Sequence, residues 1–212
     1  MFIVIEGLDG SGKSTLIRAL ALRFERERPG SVRTGYEPHD PSCGGDYLRA
    51  VLTKRITQFS NRSLVLAFAA NRMDHRHRHI DPWLATEGKV YLCDRAYLSS
   101  LVYQKSDEYT YDDILELNRD ARRPDLTIFL NVTNATARAR MDARGAEPEL
   151  FETNLEVTRA KYFAAIDYLR TVRGERVEVV DADGTPEEVL AAVWAAIHQM
   201  GNLQGFQNLG GL

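Results

Sequence analysis

Gly7-Leu8-Asp9-Gly10-Ser11-Gly12-Lys13-Ser14 fits the pattern G-x-x-x-x-G-K-[ST], and its flanks decide how it is read. Before it, Phe2-Ile3-Val4-Ile5 is a short apolar, β-branched run of the kind that forms a buried strand; after it, Thr15 opens a helical segment. Strand, glycine-rich turn and helix in that order make a phosphate cradle. The glycines let backbone N–H groups turn inward onto phosphate oxygens, and the helix N-terminus adds a favourable field. Gly7, Asp9, Gly10, Ser11, Gly12, Lys13, Ser14 and Thr15 are therefore the candidates for holding ATP, with Lys13 placed for the β- and γ-phosphates and the Ser14 hydroxyl for Mg²⁺.

Outward from this loop, apolar runs alternate with segments of helical period. Strands are expected at Val32 to Tyr36, Val90 to Cys93, Leu126 to Val132 and Val177 to Val180. Helices are expected at Leu16 to Phe24, about Asp46 to Lys54, about Ser60 to Leu84, Thr136 to Arg144, Leu155 to Thr171 and Pro186 to Met200. Such alternation implies an α/β fold: one doubly wound, mostly parallel sheet of about five strands with helices on both faces. The expected organisation is a single P-loop NTPase domain over residues 1–200, a mobile lid at about 145–152, and a loose tail at 201–212 that is rich in Gly, Asn and Gln. No internal repeat is present.

Bulk properties narrow the function classes. A chain of 212 residues, 44% hydrophobic, suits one domain with a substantial core. Its net charge of −3 gives no global attraction to nucleic acid or anionic membrane, so any anion site must be local. Cys43 and Cys93 form no close-spaced metal or redox motif, and Cys93 lies in an apolar run as an expected buried thiol. Without a basic leader or an apolar stretch of membrane-spanning length, the expected setting is the cytoplasm. No N-K-x-D guanine-reading motif occurs, which argues against a GTPase, and the chain is short for a motor ATPase.

Two further groups of residues bear on a second ligand. Phe68 and Arg72 lie four apart on an expected helix and so share a face, where a ring and a guanidinium can stack on a planar base and donate to its carbonyl edge. Leu64, one turn earlier, leaves open that Phe68 is core. Asp94 ends an apolar strand, which puts it at the carboxyl edge of the sheet, where ligands bind in open α/β folds. A carboxylate there can hold Mg²⁺, and Arg95 beside it can neutralise a phosphate; a plain surface Asp-Arg pair is the alternative.

From Phe2 through Thr15, and again at Leu66-Ala67-Phe68-Ala69-Ala70-Asn71-Arg72, Asp94-Arg95 with Leu98-Ser99-Ser100 and Tyr103-Gln104, Arg123-Pro124-Asp125-Leu126-Thr127, and Arg140 with Arg144-Gly145, the chain resembles the thymidylate kinase family. The resemblance implies transfer of the ATP γ-phosphoryl group to dTMP, and a homodimer. It implies that Phe68 stacks on thymine, that Arg72 bonds its 4-keto oxygen, and that Arg95 and Arg49 take the acceptor phosphate. Asp9 is similar to the residue for the sugar 3′-hydroxyl, Ser100 and Gln104 to residues near the base, Tyr103 to the aromatic crowding the 2′-position, and Glu37 to an acid near the metal and sugar. With Ser11 in the variable part of the P-loop, the catalytic arginine is expected from the lid side, at Arg140 or Arg144.

Three departures from that pattern bear on the acceptor. Tyr36 stands where the family usually has Arg before Glu-Pro, and His39 to Gly45 forms a different, longer loop, which touches the register of Arg49. Ala96 replaces a usual Tyr or His, with Tyr97 one place later. In the lid, the family's Asp-Arg pair reads Glu149-Leu150. Kinases for a 5-substituted dUMP or for a deoxynucleoside, the latter with Glu37 as base, and a nucleotide-binding regulator without turnover are the alternatives. The run Asp74-His75-Arg76-His77-Arg78-His79 reads as a solvated helix face, with a His75–His79 metal pair as the other reading.

Overall fold

The computed structural model describes residues 1–143, 145 and 154–203. Five strands, β1 (Phe2–Gly7), β2 (Val32–Tyr36), β3 (Val90–Asp94), β4 (Leu126–Asn131) and β5 (Val177–Asp181), form one all-parallel sheet in the order β2-β3-β1-β4-β5. β1 sits in the centre and is buried along its whole length, as its unbroken apolar run requires. Successive residues of β1 point to opposite faces. Ile3 and Ile5 join the main core with Leu16 and Leu20, whereas Phe2 and Val4 join a smaller cluster with Tyr91, Cys93 and Ile80.

Helices α1 (Lys13–Glu27), α2 (Gly45–Leu52), α3 (Asn61–His75), α4 (Asp81–Leu84), α5 (Tyr97–Tyr103), α6 (Tyr111–Leu117), α7 (Asn134–Asp142), α8 (Leu155–Thr171) and α9 (Pro186–Leu203) complete the described chain. Between α3 and α4 the chain stays helical but widens into a π-helix at Arg76–Ile80, so the helix expected over about 60–84 runs through with a π segment inside it. α5 and α6 have no counterpart among the expected elements. α5 is short and almost wholly buried, so it lacks the polar face that gives a helix its period. α6 is short too, but Thr110 and Asp113 cap it reciprocally. α9 continues to Leu203, past the expected boundary at 200; the expected lid apart from Gly145, Arg144, and residues 204–212 lie outside the described residues.

Register places the site. Tyr36 and Ile5 both pair with Asp94, so β2 and β3 end together and β1 runs two residues further, to Gly7. The chain leaves β1 toward β2 on one side and β3 toward β4 on the other, and the loops that follow splay apart above the sheet.

Candidate active site

The P-loop follows β1 directly. Gly10 has a φ of 78°, and a Cβ there would lie 2.3 Å from the Ala137 carbonyl oxygen, so only glycine lets the loop pack against α7. Lys13 Nζ folds back over its own loop, donating to the carbonyls of Gly7 and Leu8 at 3.1 Å and lying 3.4 Å from Asp9 Oδ1. Ser14 Oγ donates to Asp94 Oδ2 at 3.2 Å. This hydroxyl and carboxylate are hard oxygen donors side by side at the head of a phosphate cradle, a set that fits Mg²⁺.

Arg95 follows at a φ of 71°, a left-handed conformation uncommon for any residue other than glycine. The turn is held by Glu6, buried beneath it, whose carboxylate accepts from the backbone N–H groups of Ala96 at 2.9 Å and Ser99 at 3.2 Å, and from the Ser99 hydroxyl at 2.8 Å. Burial pushes the Glu6 carboxyl up from its ordinary range, against the pull of nearby Arg95. Arg95 itself donates to Asp9 at 2.6 Å, to Tyr162 Oη at 2.8 Å and to the Gly7 carbonyl at 3.1 Å. The acceptor-phosphate candidate is thus aimed from several directions.

Arg72 and Glu37 form a buried ion pair at 2.7 Å, and the second Glu37 oxygen meets His75 Nδ1 at 3.2 Å. Both carboxylate oxygens are therefore committed to orienting neighbours, which leaves Glu37 ill suited to deprotonate a 5′-hydroxyl. Phe68 unites the two readings offered for it: it packs with Leu48, Val51, Leu52 and Leu64, while its ring faces the cavity with the Arg72 guanidinium 5.4 Å from its centroid. The altered loop after Glu37 is clamped by Asn71, which accepts from His39 N–H at 2.8 Å and donates to the carbonyls of His39 and Cys43. Arg49 emerges from α2 into the same cavity as Arg95, 3.3 Å from Asp40.

These groups converge on one cavity of about 360 Å³, in the range of small-ligand sites. Asp9, Glu37, Arg49, Phe68, Arg72, Arg95, Ser100, Tyr103 and Gln104 all line it, together with Lys13, Ser14 and Asp94. Both amide atoms of Gln104 are buried there without a hydrogen-bond partner in the protein. A second cavity, lined by Ser11, Thr15, Arg140, Gly184 and Pro186, opens on the other side of the P-loop, and Gly12 borders both. Arg140 belongs to this second cavity, donating to the carbonyls of Ala182 at 3.1 Å and Gly184 at 3.3 Å. Gly7 lines neither; its carbonyl anchors Lys13 and Arg95 from behind.

Tyr97, one place after Ala96, donates its hydroxyl to Glu175 at 2.7 Å, outside the cavity lining. One expectation needs correction. The histidine run is not uniformly solvated, since His75 is fully buried, bonds Tyr91 at 2.9 Å and stacks on His39 with ring centroids 4.2 Å apart. Asn118 and Tyr162, which meet Arg72 and Arg95, have no counterpart among the expected site residues. Nothing local marks them, because their partners lie on other elements.

The sequence pattern of the family described as Thymidylate kinase matches residues 5–193 of this chain. The chain belongs to the thymidylate kinase family. It is similar to a thymidylate kinase of Gluconobacter oxydans (strain 621H), 33% identical with 97% of each chain covered. A probable thymidylate kinase of Thermococcus onnurineus (strain NA1) is 39% identical over 70% of this chain and 75% of its own length. Another, from Caldivirga maquilingensis, is 34% identical with 93% of each covered. The five-stranded parallel sheet and P-loop accord with membership of this kinase family. Among the described residues no helix is long and apolar enough to cross a membrane.

Proposed function

We propose that this chain transfers the γ-phosphoryl group of ATP to the 5′-phosphate of dTMP, giving dTDP. The observation that carries the reading is one cavity in which Lys13 and Ser14 of the P-loop face Phe68, Arg72, Arg95 and Gln104. The P-loop N–H groups and Lys13 take the donor phosphates, Lys13 leaving the loop carbonyls it now contacts. Ser11, Thr15 and Arg140 bound the donor's other end in the second cavity. Ser14 and Asp94 would hold Mg²⁺, which when bound neutralises phosphate charge.

On the acceptor side, Phe68 offers its face to the pyrimidine, while Arg72 and the unpartnered Gln104 amide meet its hydrogen-bonding edge. Arg95 and Arg49 draw in the acceptor phosphate, which displaces Asp9 from Arg95 and frees that carboxylate for the sugar hydroxyl. An acceptor phosphate oxygen is already anionic, so no general base is required; alignment and charge neutralisation supply the rate. Arg144 is then the remaining candidate for stabilising the transferring group from the lid side, since Arg140 lines the second cavity.

A homodimer accompanies this reading. α3 presents Leu66 and Met73, 46% and 41% exposed and seven residues apart, as an apolar stripe on its outer face. The same stripe on a second copy is its natural complement in an isologous contact. Two free cysteines, one of them buried, suit a reducing cytoplasm.

The deciding experiment is ADP release with Mg²⁺–ATP across dTMP, dUMP, 5-hydroxymethyl-dUMP, UMP, dCMP, dGMP and thymidine. Preference for dTMP is the expected result. Activity on another acceptor alone would replace the substrate and keep the kinase, and silence on all would leave a nucleotide-binding protein.

A further inference from the structure

An arginine guanidinium carries five N–H groups, and the fate of each one in Arg72 is visible. Nε donates to Glu37 at 2.7 Å, Nη1 to Ser100 Oγ at 2.7 Å and to Asn118 Oδ1 at 2.9 Å, and Nη2 to the Ala96 carbonyl at 3.2 Å. Four are used within the protein. One, on Nη2, has no partner among the described residues, and Arg72 lines the cavity.

Asn118 differs from the other partners. It is buried behind Arg72, away from the cavity lining, at the C-terminal end of α6. Its Nδ2 donates to the Ile114 carbonyl at 2.8 Å, so its amide orientation is decided: turning it over would face a donor to Arg72 and an acceptor to a carbonyl. Gln104 is the opposite case. Neither end of its amide has a protein partner, so it can present either end to a ligand.

The two pyrimidine types differ in this respect. A 4-keto base shows an acceptor at position 4 and an N3–H donor; a 4-amino base shows the reverse. An amide free to turn over serves both edges, whereas a single fixed N–H serves only the keto edge. We infer that Asn118 is a specificity-determining positioning residue, holding Arg72 so that the acceptor site prefers a 4-keto over a 4-amino pyrimidine nucleotide. This rests on the dTMP kinase reading and places its base selectivity in the Arg72–Asn118 pair rather than in Gln104.

The test is kcat/KM for dTMP and for dCMP in the wild type, Asn118→Ala and Gln104→Ala, with KM for ATP alongside. In Asn118→Ala the dTMP-to-dCMP ratio should fall about tenfold or more while KM for ATP holds, a change that mere loosening of the fold would not produce. In Gln104→Ala both nucleotides should weaken together, with their ratio within about threefold of wild type. Should Asn118→Ala fail to fold, Asn118→Ser, which keeps a small polar group but cannot reach Ile114 and Arg72 together, is read by the same ratio. A dTMP-selective wild type whose ratio survives loss of the Asn118 amide, or collapses only in Gln104→Ala, overturns this inference alone. A wild type that phosphorylates neither nucleotide overturns it together with the acceptor reading.

Discussion

The Ser14 hydroxyl and the Asp94 carboxylate meet at 3.2 Å, joining the first turn of α1 to the last residue of β3. Paired oxygens of this kind serve a metal better than either would alone. Asp94→Asn should keep the fold, lower kcat by about 10²–10³-fold, and raise the Mg²⁺ concentration needed for half-maximal rate. Steady-state rates across a magnesium titration check this, and an unchanged midpoint would remove Asp94 from the metal site.

Arg72 and Glu37 are buried as a pair at the wall of the cavity. Removing one strands the other. Arg72→Ala should therefore cost about 3–5 kcal/mol in unfolding free energy, beyond its effect on acceptor KM. Urea unfolding measures the first and steady-state kinetics the second; a loss below about 1 kcal/mol would mean the pair is solvated in solution.

His39 is packed against His75 and His79, and burial first, then those two rings, holds its imidazole down from the usual 6.5 to about 4. The sign follows from proton uptake. Between about pH 6.5 and 4 the unfolded chain binds a proton that the folded His39 refuses, so stability falls as pH drops through that window. Glu37 and Asp40 oppose the shift and burial outweighs them. The decrease in Tm between pH 7 and pH 5 should shrink in His39→Asn relative to wild type, as followed by calorimetry.

Arg140 contacts the backbone of Ala182 and Gly184 beside the second cavity, away from Arg95. Arg140→Ala should raise KM for ATP several-fold and leave acceptor KM near wild type. A selective fall in kcat with both KM values held would instead mark it as acting on the transferring group.

Gly10 approaches α7 where no side chain fits. Gly10→Ala should lose most activity and destabilise the protein by about 1–3 kcal/mol, through both the left-handed φ and the collision with Ala137. Activity and thermal unfolding, measured on one preparation, test both effects.

The central strands and the P-loop were legible because their signals are local. Phe2 to Ile5 is apolar without interruption, and glycines at 7, 10 and 12 sit at the spacing that a phosphate turn demands. The candidate acceptor residues from Asp9 to Gln104 rest mainly on resemblance, and the fold gathers them on one cavity. What escaped depends on distant partners. His75 is apolar in neither neighbour nor period, and only Glu37 and Tyr91, 38 and 16 residues away, make its burial possible. α5 hid for a related reason: buried on nearly all sides, Tyr97 to Val102 has no solvent-facing stripe to betray a helix. Asn118, at the end of a short helix, gave no sign that its carbonyl would brace Arg72.

Gly12 stands between the two cavities and belongs to both. The two cavities therefore meet at a backbone position that carries no side chain. If donor and acceptor lie as proposed, a single molecule with a purine at one end, a pyrimidine at the other and a chain of phosphates between engages both cavities, and its second contact is intramolecular. A series differing only in the number of bridging phosphates would act as a ruler laid across Gly12, its tightest member reporting the span at which the two nucleotides lie end to end.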